Sequence, residues 1–94
     1  MKITIEGKEH ELRTILRKDK KEYTYTILDL EKRMKEGDNS VIKEADEFKE
    51  AFLCKLSNGT ITSELLDNMS VEDYNAIIKQ VEQNIHGIGD TSKN

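Results

Sequence analysis

Two histidines and one cysteine are the side chains best suited to catalysis or metal binding, and their settings argue against both. Nucleophilic catalysis needs a Ser, Cys or Thr activated by a base that a third group orients. Cys54 instead follows Leu53 in a segment that also holds Phe48 and Phe52, where a free cysteine acts as a small apolar filler. A structural zinc wants three or four ligands at short spacing, and neither His10 nor His86 has a second imidazole or a thiol within a helical turn. His10 reads as a hairpin residue, and His86 as a cation easing the dipole at a helix C-terminus. The run Glu44, Asp46, Glu47 and Glu50 offers carboxylates for acid or base work. Lys43 and Lys49 interrupt it, however, and on a helix it points away from or flanks Phe48 and Phe52, the pattern of a solvated face. The glycines at 7, 37, 59, 87 and 89 are dispersed as turn and cap residues rather than grouped to cradle a phosphate. Arg17, Lys18, Lys20 and Lys21 form the one basic cluster; Asp19 and Glu22 dilute it, and it reads as a solvated loop. The expectation is a non-enzymatic protein without cofactor or metal.

With no reactive constellation to position, the elements must serve something else. The chain has 94 residues, 35% hydrophobic and 36% charged, with a mean hydropathy of −0.73. That is enough for one domain with a small core. We expect it to span residues 1–89, with 90–94 as a disordered polar tail. Fifteen basic residues against 19 acidic ones give a net charge of −4, which repels a phosphate backbone unless the cations gather on one face. Nucleic acid is therefore not an expected partner. A single cysteine makes no internal disulfide, and no apolar run approaches the roughly 20 residues of a membrane span. Met1 leads straight into a strand pattern rather than a signal peptide. The chain reads as cytosolic.

Ile3 and Ile5 alternate with Lys2, Thr4 and Glu6, and Gly7 follows where a tight turn needs positive φ, so the chain opens on a hairpin. A loop of Glu6 and Gly7 sets Ile5 opposite Lys8, Ile3 opposite His10 and Met1 opposite Leu12, with Met1, Ile3, Ile5 and Leu12 on one face. Leu12, Thr14, Leu16 and then Tyr23, Tyr25, Ile27 alternate like further strands around the charged loop 17–22. That would widen the hairpin to three strands, and strand or helix stays open for residues 13–25. From Thr26 the period turns helical, with Tyr23, Ile27, Leu30 and Met34 on one stripe and Gly37 as a stop. Asp38, Asn39 and Ser40 offer an N-cap to a second helix with the stripe Val41, Ala45, Phe48, Phe52, Leu56, ended by Asn58 and Gly59. Ser63 would cap a short turn holding Leu65 and Leu66. The last helix has Ser70 as N-cap, Asp73 at the capping-box position and a Met69–Tyr74 staple. Its stripe runs Tyr74, Ile77, Ile78, Val81, Ile85, Ile88. The fold class is thus α+β: an N-terminal hairpin, or a small three-stranded sheet, against about three helices.

Apolar residues remain off these stripes. Tyr25 and Leu28 point away from Ile27, Leu30 and Met34, while Ile42 and Leu53 lie at the edge of the second stripe. Two readings stay open: they pack under the hairpin or the Leu65–Leu66 turn, or they form an oligomer or partner surface. Tyr25, Leu28, Ile42 and Leu53 are accordingly the candidate protein-binding residues.

Four segments in order, MKITIEGKEHELR, ILDLEKRMKEGD, ADEFKEAFLCKLSNGTIT and MSVEDYNAIIKQVEQNI, together resemble the tail assembly chaperones of long-tailed bacteriophages and of prophages in Gram-positive bacteria. The resemblance spans most of the chain and rests on element order and small acidic character more than on any one motif. The stretch Arg13 to Tyr23 departs from it, being longer than the usual passage from hairpin to first helix. The resemblance implies a non-enzymatic protein, the short form of a product often also made as a longer frameshifted one. It implies a chaperone in the host cytoplasm that binds the long helical tape-measure protein, keeps it soluble, helps recruit tail-tube subunits and is absent from the mature virion. Self-association into a homo-oligomer fits the same picture. From another class, the alternative is a small phage or plasmid regulator that binds DNA through its helices; an enzyme ranks third.

Overall fold

A computed structural model describes residues 1–87. Ile88, the Gly89 break and the tail 90–94 expected from the sequence lie outside the described residues. The order is β1 (Lys2–Ile5), β2 (Lys8–Glu11), α1 (Arg17–Lys35), α2 (Val41–Leu56), α3 (Ser63–Asp67) and α4 (Val71–His86). This is the α+β arrangement expected, with one hairpin, three long helices and a single-turn α3.

β1 and β2 pair antiparallel with Ile5 opposite Lys8 and Ile3 opposite His10. Glu6 and Gly7 both have positive φ, at 53° and 81°, the geometry of a two-residue turn whose twist matches the strands. The ladder continues one step further, because the Leu12 amide donates to the Met1 carbonyl at 2.7 Å. Ile3, Ile5 and Leu12 are buried on the inner face and Met1 is half-buried, so the expected register holds.

Among the described residues no third strand forms, and residues 17–22 are the first turns of α1 rather than a charged loop. The alternation fails at residues 14–16, where Thr14 and Leu16 face solvent and Ile15 turns inward. What starts the helix nine residues before the expected Thr26 is Asp19. Its carboxylate reaches back to accept the Leu16 amide at 2.8 Å, satisfying an end-of-helix donor. It also takes two bonds from the Arg13 guanidinium, at 2.8 and 3.0 Å. One turn on, Tyr23 continues the same buried face.

α1 ends at Gly37 (φ 92°), and Arg33 fastens the turn by donating to both Asp38 and Glu44. Asp38, not Ser40, supplies the polar start of α2: its side chain accepts the Ser40 amide at 3.0 Å, while Ser40 makes no side-chain cap bond. Thr62 rather than Ser63 caps α3, accepting the Leu65 amide at 3.2 Å. Ser63 is the first helical residue and its hydroxyl donates to Glu50.

α4 begins as read from the sequence, with the Ser70 hydroxyl accepting the Asp73 amide at 3.1 Å. Met69 and Tyr74, the staple pair, both pack against the core. Gly87 closes the helix in the left-handed region at φ 74°. We expect Ser70→Ala to cost about 1 kcal/mol, measured as a lower urea midpoint with an unchanged slope.

The core draws on every element: Ile3 and Ile5 from the hairpin, Tyr23 from α1, Leu53 and Leu56 from α2, Leu66 from α3, and Ile77, Val81 and Ile85 from α4. The rings of Tyr23, Phe48 and Phe52 pack with centroids 5.1–5.9 Å apart. Two bonds tie the hairpin to the α2–α3 connection: the Arg13 amide donates to the Leu56 carbonyl at 2.9 Å, and His10 Nδ1 meets Thr60 Oγ1 at 3.1 Å. The hairpin tip faces the start of α4, where Thr4, Ile5, Glu6, Ser70, Asp73 and Ile77 line a shallow cleft.

Candidate protein-binding surface

Three of the four candidate residues are exposed and one is not. Tyr25 is 65% exposed, Leu28 56% and Ile42 62%, whereas Leu53 is 1% exposed. Leu53 is therefore core and no part of a binding surface. The stripe of α2 is wider than the sequence reading made it, because the helix packs against α1 on one side and against α3 on another, and Leu53 is enclosed beside Phe52 and Leu56.

The exposed three do not form one patch. Tyr25 and Leu28 lie three residues apart on α1 and so share a side of the helix. Tyr25 lines a groove between the N-terminal half of α1 and the last turn of α4, together with Ile15, Leu16 and Ile85. Ile42 lines a different one: an apolar groove of about 690 Å³ between α1 and α2, floored by Ile27, Leu30, Val41 and Ala45 and edged by Met34. Met34, expected inside the α1 stripe, is 43% exposed at this edge. Leu16 and Val71 are further exposed apolar residues, at 47% and 76%, that the stripe analysis did not single out. Leu16 went unnoticed because it looked like the end of a strand.

The polar groups that looked capable of chemistry are engaged elsewhere. Cys54 packs against the core, and burial together with the neighbouring Glu50 raises its thiol pKa, which disfavours the nucleophilic thiolate. His10 is buried, its Nδ1 held by Thr60, and His86 is exposed on the last turn of α4. Among the described residues no group of three His, Cys, Asp or Glu side chains is placed to hold a metal ion. Glu44 belongs to Arg33, Glu47 lies near Lys43 and Glu50 accepts from Ser63, so the acidic run is a mostly solvated, locally paired face. Tyr23, buried and donating to Glu82, has its phenol pKa pushed well above the ordinary value. Tyr74 is pushed up to about 12 by burial and then by Asp46 and Glu50. Both stay protonated at neutral pH and serve packing.

The basic cluster is where the structure departs furthest from the sequence reading. Arg17, Lys18, Lys20 and Lys21 are all exposed on the first two turns of α1. The two acids that seemed to dilute them are turned away: Asp19 is buried against Arg13, and Glu22 accepts from Lys55 at 2.7 Å. No helix among the described residues is long and apolar enough to cross a membrane. No known family model matches the chain, and comparison with curated proteins and with solved structures finds no match either.

Proposed function

We propose that this chain is a non-enzymatic tail assembly chaperone that binds a phage tape-measure protein and keeps it soluble in the host cytoplasm until the tail is built. The observation that carries the reading is the apolar surface left on its helices, with Tyr25, Leu28, Met34 and Ile42 exposed and a groove open between α1 and α2. Apolar residues gathered at one groove, as Met34 and Ile42 are, mark a surface for a partner to cover. Grooves between helices accept the apolar face of another helix, and a tape-measure protein is a long, largely helical partner. Several weak contacts along such a partner add through avidity and still release. The net charge of −4 favours solubility while apolar surface is exposed. Tail-tube subunits and further copies of the chain are partners in the same reading.

Coexpression with the tape-measure protein of the same locus is the test. We expect the long protein to stay soluble and to co-purify; unchanged solubility with no co-purification rejects the reading. The second reading, a DNA-binding regulator, is favoured by one observation, the exposed cations at the start of α1. A gel-shift series at falling salt separates the two, because phosphate contacts strengthen steeply as salt is lowered.

A further inference from the structure

We infer that the groove between the start of α1 and the end of α4 is a docking site for an acidic amphipathic helix of a protein partner. The inference rests on the partner-binding reading and adds to it where the partner is gripped and by what chemistry.

The groove, of about 440 Å³, is walled by Arg17, Lys20 and Lys21 and floored by Ile15, Leu16, Tyr25 and Ile85. Three cations line it and, among the described residues, no carboxylate does. Among the described residues none of the three cations has a carboxylate within ion-pair distance, whereas Arg13, Arg33 and Lys55 all do. On a chain of net charge −4, this is a concentrated positive field around an apolar floor. Arg17, Lys20, Lys21 and Thr24 recur at helical spacing, so one side of α1 presents them together. Thr24 Oγ1, also in the wall, is buried without a hydrogen-bond partner.

Complementarity then specifies the occupant. An apolar ridge must fill the floor beside Tyr25, and carboxylates flanking that ridge must meet the cations at the rim. A helix with leucines on one face and glutamates beside them has both. A nucleic acid satisfies the cations but brings its phosphates, not apolar groups, to a floor of Ile15, Leu16 and Ile85.

The test uses the whole chain and two fluorescent synthetic helices, one with glutamates flanking a leucine face and one with lysines in the same places. We expect anisotropy to report binding of the glutamate helix, weaker at raised salt, and none of the lysine helix. Lys20→Glu combined with Lys21→Glu should weaken binding by ~10-fold or more. The same change places acids near a helix N-terminus, which favours the helix, and an unchanged urea midpoint assigns lost binding to the removed cations. Tyr25→Ser should weaken binding through the floor instead. Equal binding of both helices, binding unchanged in the double variant, no binding of either helix, or tighter binding of a short DNA duplex to the same cations would each overturn the inference. Its failure is separable from that of the chaperone reading: soluble tape-measure protein without glutamate-helix binding removes only the groove, and the reverse result removes only the chaperone.

Discussion

We expect Leu53→Asp to leave the chain unfolded and Leu28→Asp to leave it folded. Leu53 is 1% exposed and sits in the same cluster as Phe52, Leu56 and Ile61. Deleting a buried leucine side chain costs about 2–5 kcal/mol, and placing a carboxylate in the space adds several more. A domain of this length holds roughly 5–10 kcal/mol in total, so nothing is left. Leu28 is 56% exposed, and a surface change of that kind stays within about 0.5 kcal/mol. Far-ultraviolet circular dichroism with a urea titration distinguishes the pair. A cooperative transition in Leu53→Asp at the wild-type midpoint would show that the core is wrongly assigned. In Leu28→Asp, intact folding with lost capture of the tape-measure protein supports the exposed face as the contact, whereas full capture removes Leu28 from it.

Asp19→Ala should be the most damaging change at a polar residue, lowering stability by about 2–3 kcal/mol. The carboxylate is 2% exposed and holds three donors, two from Arg13 and one from the Leu16 amide. Truncation strands all three. Arg13 is 29% exposed and keeps part of its hydration, which holds the cost below that of a fully enclosed pair. The same residue sets an acid limit. Hydrogen bonding from Arg13, and then from the Leu16 amide, outweighs burial and holds the Asp19 carboxyl well below the usual carboxylate range. Because the folded pKa is the lower one, the stabilisation is complete above the unfolded value near 4. It disappears as pH falls through the folded value. Urea midpoints should therefore fall more steeply in wild type than in Asp19→Asn as pH drops below about 4; parallel profiles would contradict this account of Asp19.

The hairpin and α4 were legible because their signals are local. Period-two alternation with Gly7 specifies a register, and Ser70 with Asp73 specifies a helix start, without reference to the rest of the chain. The start of α1 was not legible for the same reason in reverse. Its first buried side chain is an aspartate, which an apolar-periodicity reading counts as solvent-facing, and the partner that makes its burial tolerable, Arg13, lies outside the helix. The spacing Leu16 to Asp19, an acid three residues after a helix's first cap position, was the available signal. At the candidate surface, apolar residues off the stripes were visible, and Tyr25, Leu28 and Ile42 are indeed outside. How wide the buried stripe of α2 would be depends on how many elements pack around it, and that is a tertiary fact. The direction of Asp19 and Glu22 is tertiary too, which is why Arg17, Lys20 and Lys21 looked neutralised in sequence and have no ion-pair partner among the described residues.

The hairpin tip faces the opening turn of α4, which brings together two segments far apart in sequence. On the ribosome, Ile3, Ile5 and Leu12 emerge first and have no complete cover until Ile77 and Val81 have been translated. Closure is consequently a late, long-range step, and until it happens the two strands depend on their own turn.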